Sequence, residues 1–233
     1  MKFEHTLIPG RLIKRYKRFL ADVELENGDV VTAHCMNSGS MMGLKDPGNR
    51  VWISPATNPK AKLNWKWELV EVDGARVGIN TGHPNKLAEE AIRAECIPEL
   101  TGYQSIRREV KYGENSRIDL LLEDHASAPL AYVEVKNVTL KRGQEAEFPD
   151  AVTARGTKHL LELANVVQNG ARGVMLYVAQ RDDCTHFSIA GDIDPAYASA
   201  LKDAMAAGVE VLAWSCTLSP EEIRIERPME INF

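Results

Sequence analysis

Three charged side chains sit inside two apolar, strand-like runs: Asp119 in "SRIDLLLE", and Glu134 and Lys136 in "AYVEVKNV". In a strand successive side chains point to opposite faces, so Arg117, Asp119 and Leu121 share one face, and Tyr132, Glu134 and Lys136 share another. The short connection "EDHASAPL" makes the two strands antiparallel neighbours, and a cooperating register brings the three charges together. The chemistry that suits such a cluster is metal-assisted phosphodiester cleavage. Two carboxylates and several waters form a site for Mg²⁺ or Mn²⁺, a cation that takes few protein ligands and keeps its water. The metal polarises the phosphate and acidifies a bound water. A lysine beside it orients that water or meets charge building on the phosphate oxygens. Its ammonium also offsets the repulsion between the carboxylates. The bland alternative is an amphipathic hairpin with a solvated Glu–Lys pair, and the bare pattern leaves both open.

The elements that must position this cluster are legible in outline. Residues 19–36 alternate apolar and polar around Asn27-Gly28, which predicts a hairpin with a tight turn. "RVWISPA" and "KWELVEVDGARVGIN" add short strands separated by Pro47-Gly48 and Asn58-Pro59 turns. Residues 1–80 therefore read as a compact β unit of about five strands, an OB-like barrel or a sandwich. The texture changes at Gly82. Pro84 suits a first helical position, and Leu87, Ala88, Ala91 and Ile92 recur at helical spacing. Glu90 lies about 60° from Leu87 on that helix and is the acid placed to reach inward. Strands near 103–112, 116–123 and 130–138 are followed by a helix over 153–168 closed at Asn169-Gly170. A strand "GVMLYVAQ", a helix around 195–207 and a strand "VEVLAWSC" follow. Residues 81–233 thus predict a mixed sheet covered by helices, and the whole chain an α+β or α/β protein of two domains.

Composition narrows the function classes. The 233-residue chain is 44% hydrophobic and 26% charged, ordinary for a core-forming protein, and no apolar run approaches a membrane span. Cys35, Cys96, Cys184 and Cys216 follow no framework, and six scattered histidines suggest no zinc site. The expectation is a soluble, cytoplasmic protein with no membrane partner. Nothing in the sequence sets an oligomeric state. Net charge is −5, but residues 1–80 carry 12 Lys+Arg against 9 Asp+Glu. The densest basic cluster is Arg11, Lys14, Arg15, Lys17 and Arg18, which permits a polyanion partner or is simply a solvated strand or helix face. On the helix after the hairpin, Arg155 and His159 share a face with Lys158 beside them, a phosphate clamp or a solvated face near Glu162. Asp150 in "FPDAVTARG" reads first as a turn residue or cap.

The Asp…Glu-x-Lys spacing matches the PD-(D/E)xK nuclease pattern. Beyond it, "GENSRIDLLL", "YVEVKNVTL", "FPDAVTARGTKHLLELA" and "GVEVLAW", in order, resemble the sugar fermentation stimulation protein A family, as do "RLIKRYKRFLADVELENGDVVTAHCMNSGSM" and "GINTGHPNKLAEEAI". The resemblance implies an OB-like nucleic-acid-binding domain over 1–80 and a nuclease-like domain over 81–233. It implies a site of Glu90, Asp119, Glu134 and Lys136, with Asp119 and Glu134 on the metal. Nucleic-acid contacts would come from the basic arm, Asn37, Lys62, Arg155, Lys158 and His159. The partner implied is DNA without strong sequence preference. The alternative is a non-catalytic DNA-binding regulator of sugar, particularly maltose, utilisation. Two departures stand out: Cys35-Met36-Asn37-Ser38-Gly39 replaces a Cys-Pro-Asn-Thr-Gly block, and Ala61 precedes Lys62 where an Arg is usual. A C-terminal helix-turn-helix has been credited to the family. Here the alternation from Val209 favours a helix followed by a strand.

Overall fold

The computed structural model describes residues 1–113 and 116–232; Glu114 and Asn115 of the "GENSRIDLLL" block, and Phe233, lie outside the described residues. The N-terminal part holds six strands, β1 (Ile8–Tyr16), β2 (Leu20–Leu25), β3 (Val30–Cys35), β4 (Arg50–Pro55), β5 (Trp65–Val72) and β6 (Ala75–Gly78). β1 pairs with β4 through Ile8–Arg11 and with β2 through Gly10–Tyr16, and its register shifts between Leu12 and Lys14. That irregularity bends one strand across two neighbours. β3 pairs in parallel with the start of β5, from Ala33↔Trp65 to Cys35↔Trp67, and closes a five-strand OB barrel. Inside lie Leu12, Val23, Ile53, Trp67, Val70 and Ile79. The buried Trp67 indole N–H donates to the Leu69 carbonyl at 2.8 Å, so its polar edge is satisfied within the core.

The second part begins with α1 (Pro84–Arg93) and a 3-10 turn at Pro98–Leu100. Its main sheet uses β7 (Ser105–Tyr112), β8 (Ser116–Glu123), β9 (Ala131–Val138), β12 (Arg172–Ala179), β14 (Glu210–Leu218) and β15 (Ile223–Pro228), in the order β15-β14-β12-β9-β8-β7. β9, β12 and β14 run parallel, while β8 and β15 flank them antiparallel. A smaller sheet joins β10 (Leu140–Arg142), β11 (Glu145–Phe148), β13 (His186–Ile189) and β16 (Glu230–Asn232). α1 covers one face of the main sheet by burying Leu87, Ala88, Ala91 and Ile92 against Val133, Val135, Val174 and Leu176. Burying a leucine of this kind stabilises the fold by roughly 1.5–3 kcal/mol. α2 (Ala154–Gln168) and α3 (Pro195–Ala206) cover the other face. They approach closely at Gly156, where a Cβ would fall 2.9 Å from the Tyr197 ring.

The two parts share a core. Leu7, Trp52 and Leu69 pack with α1 against the main sheet, and Met1 and Phe3 hydrogen-bond to the β15 edge through Ile223 and Glu221. α3 is followed at Glu210 by β14, so the segment read as a possible helix-turn-helix is a helix and a strand. No helix among the described residues is long and apolar enough to cross a membrane.

Candidate active site

β8 and β9 pair only at Leu120↔Val133, Leu121↔Tyr132 and Leu122↔Ala131. Beyond Leu120 the strands part, and Asp119 stands at the fork. Its Oδ2 accepts the Val135 backbone N–H at 2.8 Å, replacing a ladder bond by a side-chain bond. Its Oδ1 accepts from Asn85 Nδ2 at 2.8 Å, and Asn85 comes from the first turn of α1. Asp119 is thus held from both layers.

Glu134 lies at the centre of β9 with 2% of its surface exposed. Lys136 Nζ donates to its Oε1 at 2.8 Å, and His159 Nδ1 on α2 donates to the same oxygen. Oε2 has no hydrogen-bond partner among the described residues. Burial alone would push the Glu134 carboxyl up, but the His159 hydrogen bond and the Lys136 charge hold it below the ordinary glutamate range. Asp119 behaves oppositely: burial, then the Glu134 charge, raise it to about 6 against the Val135, Asn85 and Lys136 contributions. Of the two carboxylates at this fork, Asp119 is the one whose charged form a nearby positive charge would ease, while Glu134 is already held in its charged form by His159 and Lys136. Tyr112 on β7 faces the same group, and its buried hydroxyl is driven up by burial and by the charges of Glu134, Glu162 and Asp119. Among the described residues no three His, Cys, Asp or Glu side chains form a ready metal cage. The donor set is two carboxylates, one of which, Glu134, keeps a buried oxygen without a hydrogen-bond partner among the described residues, and it fits a hard, water-rich cation.

The register therefore assembles Asp119, Glu134 and Lys136. Glu90 is not among them. Its carboxylate points to the chain terminus, 2.8 Å from the Met1 ammonium, and its side chain is 44% exposed. The 60° offset from Leu87 carries Glu90 to the rim of α1 rather than under it, and Asn85, one turn earlier, is the α1 side chain that reaches the site. His159 was expected at a phosphate-facing surface, yet it is buried against Glu134 because Gly156, His159, Leu160 and Leu163 form the inward stripe of α2. Arg155 remains exposed and donates from Nε to His159 Nε2 at 3.3 Å. Lys158 is half-exposed and lies 3.6 Å from Glu162. The Arg155/His159 spacing was visible in the sequence. What pointed His159 inward was the apolar stripe around it.

The basic arm does not form one patch. Arg11 donates to the Gly48 carbonyl at 3.1 Å, and Lys14 sits 3.6 Å from Asp22. Arg15 ties down the next loop, donating to the Asn37 and Gly39 carbonyls at 2.9 and 3.1 Å. Lys17 and Arg18 occupy the exposed β1–β2 turn with φ of 50° and 64°, the left-handed pair of a tight hairpin. Arg18 and Asn37 line a cleft of about 410 Å³ between the barrel and the second part, together with Asn137, Thr139, Asp150 and Thr153. Asp150 bridges that cleft by accepting from Ser40 Oγ and Met41 N, both at 3.3 Å. The helix cap is instead Thr153, whose Oγ1 accepts from Gly156 N. Lys62 lines a separate groove of about 650 Å³ on the barrel, with Leu20, His34, Met36 and Lys66. Beside it Phe19 is 48% exposed, its ring 6.4 Å from that of His34.

The description of the sugar fermentation stimulation protein RE domain matches residues 82–222, and that of the SfsA N-terminal OB domain matches residues 13–79. The chain belongs to the sugar fermentation stimulation protein family. A sugar fermentation stimulation protein homolog of Maricaulis maris is 60% identical over 234 residues, covering 100% of this chain and 99% of the relative. One from Rhodospirillum centenum is 56% identical over 233 residues and covers 100% of both. A solved structure of Pyrococcus furiosus SfsA in complex with Ca²⁺ aligns with a TM-score of 0.90 at 27% identity, over 100% of this chain and 98% of that one. Asn85, Asp119, Glu134, Lys136 and His159 all fall within the RE-domain match of this SfsA-family chain.

Proposed function

We propose that this SfsA-family protein is a divalent-metal-dependent nuclease acting on DNA without strong sequence preference. The observation that carries the reading is Glu134: one oxygen takes two donors, and the other is buried without a partner beside a second carboxylate. Asp119 and Glu134 would hold Mg²⁺ or Mn²⁺. Such a cation, when bound, supplies Lewis-acid polarisation of the phosphoryl group. The chain's own residues do the rest. Asp119 is fixed by Val135 and Asn85, so its carboxylate needs little reorganisation on binding. Lys136 carries a largely buried ammonium next to the carboxylates and meets negative charge gathering on a phosphate. The relative solved with Ca²⁺ supports an oxygen-ligand cation in this family. Arg18 and Asn37 line the barrel cleft, Lys62 lines the groove, Lys17 is exposed in the turn next to Arg18, and exposed Phe19 offers a ring to a base. Four free thiols accord with a reducing cytoplasm.

The decisive experiment incubates the protein with Mg²⁺ or Mn²⁺ and single- and double-stranded DNA and RNA. Metal-dependent cleavage of DNA, lost in Lys136→Ala, is the expected result. Salt-sensitive DNA binding with no cleavage above the Lys136→Ala control would reject the nuclease and leave a non-catalytic binding protein.

A further inference from the structure

Arginine has five N–H donors and no acceptor. Arg155 Nε stands 3.3 Å from His159 Nε2, so that ring nitrogen presents its lone pair and the ring proton sits on Nδ1. Nδ1 is the atom that meets Glu134 Oε1. The imidazole is buried, with 4% of the residue exposed, and this one tautomer satisfies both of its nitrogens. On the other side of Glu134, Lys136 donates to the same oxygen at 2.8 Å. Two donors on Oε1 lock the carboxylate rotation and leave Oε2 as the free end.

We infer that Arg155, His159 and Glu134 form a relay in which His159, held in its Nδ1–H tautomer by Arg155, is a positioning residue that aims Glu134 Oε2 at the cation position. The inference rests on the proposed metal site and deepens it. Without the His159 donor, Lys136 is the single donor on the carboxylate and the group is free to turn and share that ammonium between both oxygens. The free oxygen then loses its fixed aim. Outer partners of this kind typically govern about tenfold or more of metal affinity. Arg155 is the exposed end of the relay, and its terminal NH groups have no acceptor among the described residues. The chemistry that fits a guanidinium fork so placed is a phosphodiester oxygen. The relay thus runs from the polyanion-facing surface of α2 to the buried carboxylate.

Two measurements test it. The first is the ¹⁵N spectrum of His159 in the metal-free protein near neutral pH, assigned by comparison with His159→Asn. The Nδ1–H tautomer is expected; the Nε2–H tautomer or an imidazolium overturns the relay, whatever the metal does. The second is Mn²⁺ affinity, read by titration calorimetry or electron paramagnetic resonance without substrate. His159→Leu should weaken it about tenfold. His159→Asn, whose amide nitrogen falls where Nδ1 stood, should recover to within about threefold of the unmodified protein. Equal affinity in His159→Leu, or no rescue by His159→Asn in a folded variant, overturns the positioning role. Asp119→Ala separates the two ideas. If it binds Mn²⁺ as the unmodified protein does, or if neither binds, the metal site itself is wrong and the positioning role falls with it, while the ¹⁵N result still decides the tautomer.

Discussion

Asp119 Oδ2 accepts the backbone N–H of Val135 at 2.8 Å, across the gap where β8 leaves β9. A side chain takes the place of a strand there, and the carboxylate is held at a fork with Glu134 close enough to resist its ionisation. Asp119 ionises at about 6 in the fold against 3.8 unfolded, so charging it costs stability. The metal-free protein should lose stability as pH rises from about 4 through about 6. Asp119→Asn should abolish that loss and raise metal-free stability at neutral pH by on the order of 1–3 kcal/mol, the Asn85 amide flipping to match. The same substitution should remove cation binding. Thermal melts across pH, with and without Mn²⁺, check both; a destabilised Asp119→Asn would contradict this account.

Arg15 and its basic neighbours should separate in experiment. Arg15 holds the 37–39 loop through two carbonyls, so Arg15→Ala should cost about 1–2 kcal/mol in denaturant unfolding. Joint replacement of Lys17, Arg18 and Lys62 by alanine should leave stability within about 0.5 kcal/mol. It should weaken DNA binding and flatten the log–log salt slope by about 2–3. Unchanged slope in a folded triple variant would remove these residues from the interface.

Glu68 on β5 is 2% exposed and accepts from Ser54 Oγ and Asn80 Nδ2 at 2.7 Å, with His83 Nε2 at 2.8 Å. His83 directly precedes α1, so this network joins the barrel to the helix that supplies Asn85. Glu68→Ala leaves buried donors unpaired and should cost about 2–4 kcal/mol. It should also weaken Mn²⁺ binding although Glu68 is far from the proposed ligands in sequence. Calorimetry on the folded fraction would show otherwise if the coupling is absent.

Asp183 is pulled down to about 2: burial opposes its charge, but Arg181 and Lys141 hydrogen-bond to it at 2.7–2.9 Å and outweigh burial. Its folded value lies below 3.8, so its contribution of about 2 kcal/mol is fully present above pH 4 and fades as pH falls toward 2. Asp183→Asn should lower stability at pH 7 and shallow the acid limb of the pH–stability curve. An acid limb identical to the parent's would show that the pair contributes nothing.

Period-two alternation in 116–123 and 131–138 was enough to assign Asp119 a face of its own strand and Glu134 and Lys136 a shared face of theirs, because side-chain direction in a strand is a local property; the register that brings the two faces together was not in the pattern. Helical spacing likewise marked the buried stripe of α1, and Asn27-Gly28 marked its hairpin. Local pattern did not separate Glu90 from Asn85, since both lie near the edge of the apolar stripe. The choice depends on where α1 crosses the sheet and on the Met1 ammonium that captures Glu90. Nor did it show that His159 faces Glu134, or that Arg15 serves a loop rather than a ligand. Short strands such as β10, β11 and β16 also escaped notice, being three or four residues long and stabilised by partners far along the chain. The amino-acid sequence by itself determined which side chains carry charge and which face of its own element each occupies. Only the tertiary structure decided which faces meet, because contacts between layers depend on register, crossing and closure that no short window of residues contains.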